Sequence, residues 1–137
     1  MATVKLYDGK RYDAENVIAD NTVAVADSGR VLNIIADGKL TTLPNNAAGT
    51  VGLTVIVRLG GVPAGGPVGS GSNASLGHEI APHSSDLIVG RGVTGTADKS
   101  LLMTKANMIV GDYVILVGNG VDTWFIQESV GAWAFEA

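Results

Sequence analysis

The stretch that decides the fold is residues 111–137, GDYVILVGNGVDTWFIQESVGAWAFEA. Residues 113–117 are a β-branched and aromatic run, followed by Gly118, Asn119 and Gly120, which tolerate positive φ. Residues 123–127 carry Trp124, Phe125 and Ile126, a second strand of ordinary length. Gly131 interrupts it, and residues 132–135 read as a third, short strand. The pattern predicts a three-stranded meander. Its side chains are mostly apolar, with Asp112, Asp122 and Glu128 at turns or edges. It fixes a β fold class and offers little chemistry, so it points to assembly more than to catalysis.

Working outward, the same grammar recurs. Residues 22–26, 30–36, 39–43, 50–59, 87–89 and 100–106 read as strands, separated by Gly, Asn, Asp and Ser turns. Asp37-Gly38 predicts a hairpin between residues 30–36 and 39–43, since a two-residue primed turn wants positive φ there. Pro44 removes a backbone donor and ends the return strand, and Gly52 suggests a bulge. Residues 60–85 hold three of the four prolines and read as a long Gly/Pro/Ser-rich loop. Residues 1–20 read as an N-terminal arm, because six of the first fifteen residues are charged and the apolar ones follow no clean period. No helix longer than a turn is expected, and no fixed-period repeat is visible. The expected architecture is all-β: one antiparallel β-sandwich or β-barrel-like domain, residues 21–137, behind the arm.

The chain has 137 residues, enough for one domain with a real core. It has no cysteine, which excludes disulfides, thiol nucleophiles and thiolate metal sites and fits synthesis in a reducing cytosol. Nothing resembles a signal peptide or a membrane span, so no membrane partner is expected. Net charge is −4 and the basic residues are dispersed, which argues against nucleic-acid binding. Only 16% of residues are charged while 46% are hydrophobic. A surface so poor in charge suits a chain packed against neighbours.

Candidate chemistry is sparse. His78, Glu79, His83 and Asp86 sit close in sequence, but Pro82 stands where a helical zinc motif needs its second histidine. No metal or other cofactor is expected. The glycine-rich tract of residues 60–77 lacks the Gly-Lys-Ser/Thr of a phosphate loop, no Gly-x-Ser-x-Gly elbow occurs, and the Asn73-Ala74-Ser75 sequon lacks a secretory context. No enzyme is expected. Tyr113, Trp124, Phe125 and Trp133 remain as core or interface aromatics. In the arm, Leu6, Tyr7, Lys10, Arg11 and Tyr12 are the candidate partner-binding residues, combining apolar anchors with charge.

The segments VLNIIADGKLTTLP, AAGTVGLTVIVRL and GDYVILVGNGVDTWFI, with the terminal GAWAFE, resemble small β-rich structural proteins of tailed bacteriophages. They are similar to capsid decoration (cement) proteins and to the β-domains that cap head fibres, over residues 30–136. The loop and the arm are not part of the resemblance. It implies a homotrimer on the exterior of an icosahedral virion, made in the host cytoplasm and bound to the major capsid protein. The alternative is a receptor- or glycan-binding module of a phage spike, head fibre or tail. That alternative expects Tyr113, Trp124 or Trp133 at the surface, whereas a cement protein expects them buried.

Overall fold

The computed structural model describes residues 14–36, 38–47, 51–60, 77–104 and 107–137. The strands are β1 (Ala14–Val17), β2 (Asn21–Thr22), β3 (Val31–Ile34), β4 (Lys39–Thr42), β5 (Thr54–Leu59) and β6 (His78–Ala81). They continue as β7 (Leu87–Val89), β8 (Leu101–Met103), β9 (Tyr113–Gly118), β10 (Thr123–Val130) and β11 (Ala134–Phe135). A three-residue 3-10 turn, Val25–Asp27, lies between β2 and β3. The described residues are predominantly β, in two sheets. One has the order β1-β3-β5-β9-β10-β7 and the other β11-β8-β6-β4-β2.

The winding differs from the expected antiparallel arrangement. β1, β3 and β5 are parallel neighbours in the larger sheet, and β2, β4 and β6 are parallel neighbours in the smaller one. Each strand in this half is followed by a strand in the opposite sheet. A parallel pair needs a crossover connection, and here the crossover is itself a strand of the other sheet. The remaining strands close the sheets: β9 runs antiparallel to β5 and β10, β8 antiparallel to β6 and β11, and β7 parallel to β10.

Several local expectations change accordingly. β3 and β4 lie where strands were expected but form no hairpin, because the turn at Gly38 (φ +64°) hands the chain to the other sheet. The segment around residues 22–26 gives a two-residue strand and the 3-10 turn. Gly52 (φ +78°) sits in a turn before β5 rather than in a bulge. β6 falls inside the stretch read as a loop; residues 61–76 of that stretch lie outside the described residues. β1 falls inside the segment read as an arm and forms an edge of the larger sheet. The meander holds for β9 and β10, but β11 leaves it to pair with β8.

Period-two burial in both sheets builds one core. The larger sheet contributes Leu32, Ile34, Val55, Val57, Leu59, Ile88, Val114, Leu116 and Trp124; the smaller contributes Ile80, Leu101 and Met103. Trp124 is fully buried and is among the largest of these side chains. Connections that cross between sheets must satisfy their backbone polar groups. Buried Asn46 does much of this: its N–H donates to Asp86 Oδ2 (2.9 Å), its Oδ1 accepts from Gly120 N–H (2.7 Å), and its Nδ2 donates to the Thr123 carbonyl. Asn119 Oδ1 then accepts the N–H groups of Val121, Asp122 and Thr123, holding the β9–β10 turn.

Asn46→Ala removes the acceptor of the buried Gly120 N–H and the donor to the half-buried Thr123 carbonyl. Each orphaned group costs about 1–3 kcal/mol. Chemical denaturation is expected to show a loss of roughly 2–5 kcal/mol for this variant.

Candidate interaction surface

β10 shows how adjacent residues separate by role. Trp124 faces the core, and Phe125, one residue on, is 47% exposed on the opposite face. Phe125 stands in register with Val117 of β9 and Val89 of β7, and Val117 with Thr54 of β5. The next row runs from Glu128 through Ile115, Ile56 and Val31 to Ala14. These apolar side chains are half-buried or exposed, because in a strand the residues flanking a buried one face away from the core. A third row is polar toward one end: Asn33 Nδ2 donates to Asn16 Oδ1 (2.9 Å) and Arg58 Nε to Asn33 Oδ1 (3.1 Å). The outer face of the larger sheet is thus an apolar band with a polar margin.

A second feature lies on the flank where the sheets part. A groove of about 520 Å³ runs beside the end of β10, lined by Arg91, Ile126, Gln127, Glu128, Trp133 and Phe135 among others. Trp133 is half-buried, and its Nε1 donates to the carbonyls of Tyr113 and Val130, both at 3.1 Å. The Tyr113 phenol is held above its ordinary pKa by desolvation and by the Glu128 carboxylate, to which it hydrogen-bonds. Of the four aromatics singled out from sequence, Trp124 is core, Trp133 and Tyr113 are half-buried, and Phe125 is exposed. Leu6, Tyr7, Lys10, Arg11 and Tyr12 lie outside the described residues. The groove itself carried no sequence signal, since Arg91, β10 and β11 meet only through the crossing of β11 to the other sheet.

The loop candidates for metal chemistry do not converge. His78 is buried on β6, with Nε2 2.9 Å from Thr41 Oγ1. Glu79 accepts a bond from Ser100 Oγ (2.7 Å), Asp86 takes the Asn46 N–H, and exposed His83 lies beside the Ser84 carbonyl. Among the described residues no three His, Asp or Glu side chains form a group able to hold a metal ion. No helix among them is long and apolar enough to cross a membrane.

Compared with protein-family models and with curated proteins, the sequence matches none.

Burial lowers the His78 pKa from 6.5 to about 4, partly opposed by the negative charge of Asp20. Above the unfolded value the ring is neutral in both states. As pH falls toward 4 the unfolded chain takes up a proton that the folded chain refuses, so stability is lost. The full difference is about 3 kcal/mol. Denaturation midpoints are expected to fall between pH 6.5 and 4 in the parent and to flatten over that range in His78→Gln.

Side-chain truncation separates the two faces of β10. Trp124→Ala removes a fully buried side chain and is expected to cost about 3–5 kcal/mol. Phe125→Ser is expected to change the stability of the isolated chain by no more than about 0.5 kcal/mol. Paired thermal melts of the two variants check this.

Proposed function

We propose that this protein is a virion structural component that binds the exterior of an icosahedral phage capsid and stabilises it, as a decoration or cement protein. In this reading the two sheets pack as a sandwich. The apolar outer band of the larger sheet, centred on Phe125, Val117, Ile115 and Ile56, mediates association into a homotrimer. That band is the observation that carries the reading. The low charge of the whole chain and the phage-like segments support it. A rigid β-core with a self-complementary face suits a clamp across subunit borders, and many copies on a repeating lattice gain avidity. The N-terminal residues, with Leu6, Tyr7, Lys10, Arg11 and Tyr12, then supply contacts to the major capsid protein. No catalytic role is proposed.

A second reading, a glycan- or receptor-binding module of a spike or fibre, draws on Trp133 and Phe135 lining a groove with Arg91 and Gln127. A glycan array distinguishes it, since the cement reading expects no saturable sugar binding.

Light scattering after size exclusion is expected to give a trimer, and Ile115→Asp with Val117→Asp a monomer of unchanged fold. A monomeric parent, both free and on particles, removes the trimer. Deleting residues 2–13 touches none of the described strands. The deletion is expected to leave the β-domain folded and to weaken binding to empty shells of the cognate phage by about tenfold, or 1.4 kcal/mol per site. Full occupancy by the truncated chain at the same concentration would show that these residues are dispensable.

A further inference from the structure

β7 pairs with β10 only across Thr123, Trp124 and Phe125. β10 continues to Val130 with β9 on one side. Among the described residues no strand pairs with its other side beyond Phe125. The chain that formed β7 turns away there: Gly90 bridges to Val93, whose N–H donates to the Gly90 carbonyl (3.1 Å). Among the described residues, 126–130 therefore form an unpaired stretch of strand edge, about 17 Å long at the rise of a strand, with a register shift between Ile126 and Glu128. The flank groove runs along the same residues.

We propose that this edge and groove form a strand-addition site for an extended segment of another polypeptide. The segment carries apolar side chains at alternate positions and a carboxylate that meets Arg91. An open edge offers main-chain donors and acceptors for a new strand, and adjoining pockets select alternate side chains. β7 already shows that a strand pairs with β10 on this side, and the guest continues its line. Gln127, Glu128 and Ser129 put no proline or lysine on the edge, two of the usual guards against pairing. Ile126 and Phe135 give the groove an apolar wall. Arg91 is exposed and makes no ion pair among the described residues, so a guest carboxylate complements it. Two of the polar groups a sugar would use are already engaged. Trp133 Nε1 is held by two carbonyls and Glu128 by the Tyr113 phenol. This inference does not rest on the capsid reading.

The test uses the full chain, isotope-labelled for amide NMR, and the end-blocked hexapeptide Asp-Val-Thr-Val-Thr-Val. A twin N-methylated at alternate amides keeps the side chains but cannot form a ladder. Saturable binding is expected, with the largest amide shifts at residues 126–130 and 90–93 and at least about tenfold weaker binding of the twin. Gly90→Leu fills the groove. A Cβ at Gly90 would stand 3.5 Å from Ile126 Cδ1 and 3.5 Å from Phe135 Cζ, ordinary contact, so the branch beyond it projects into the space. This variant is expected to lose about tenfold in affinity at an unchanged melting temperature. Arg91→Glu, at an exposed position, is expected to prefer a peptide with Lys in place of Asp. Absence of saturable binding, equal binding of the twin, or shifts centred on Phe125 and Val117 overturns the proposal. Shifts at the groove produced by a neutral oligosaccharide, and not by the peptide, would assign the site to sugar. Chain-concentration-dependent self-association that the peptide cannot displace would assign it to a second copy.

Discussion

Mutual burial of the inward rows of the two sheets is the interaction on which the rest of this molecule depends. Neither sheet can hide its apolar side alone. Leu32, Ile34, Val57 and Leu59 from one find Ile80, Leu101 and Met103 from the other, and Trp124 fills the largest share of any single residue. Because the first six strands alternate between sheets, each circuit of the chain adds to both walls at once. Such winding carries polar backbone across the margins of the core at every circuit. Asn46, with Asp86 and Asn119, meets that cost on the side where β5, β7 and β10 begin. The net gain from each such bond is about 1 kcal/mol, but leaving the groups unpaired would cost more. The polar residues are therefore as necessary to the core as the apolar ones.

The local elements were legible in the sequence and their partners were not. Val31–Ile34, Thr54–Leu59 and Tyr113–Gly118 stand where period-two and β-branched runs placed them, and Thr123–Val130 begins where expected but runs three residues further. Pairing is a long-range property. Asp37-Gly38 has the chemistry of a hairpin turn, yet a residue at φ +64° serves a crossover between sheets equally well. The circuits differ in length, so their residues align without a repeat that the sequence displays: Ala14 meets Val31, and Val31 meets Ile56. β6 was hidden because HEIA is four residues beside a glycine- and serine-rich stretch, too short to outweigh its surroundings. The Trp124–Phe125 division of labour follows from alternation once the strand is recognised. The groove does not, because β11 reaches β8 only through tertiary structure.

The parallel half of the larger sheet bears on what its outer face does. Parallel sheets are found almost wholly with both faces covered. Here β1, β3 and β5 are parallel, and their outward residues Val31 and Ile56 continue the apolar band of Ile115 and Val117. The smaller sheet contrasts with this, since Glu79 breaks the outward row between Leu40 and Leu102. A face that reads like the inside of a protein, in a chain with 16% charged residues, is consistent with a partner surface over it.

The same alternation separates stability from recognition within one strand. Trp124 sits at the centre of the core, while its neighbours Thr123 and Phe125 look outward. A change at Phe125 alters what the surface can hold without opening a cavity. A change at Trp124 opens one of the largest possible here without altering the surface chemistry. Beyond Phe125 the register shift between Ile126 and Glu128 ends this strict division. From there to Val130 the strand is mostly exposed and loses its second neighbour, so burial no longer dictates its sequence. Residues there are free to be chosen for what they meet, which is why the strand's far end, and not its buried middle, is where partner specificity can change at little cost to the fold.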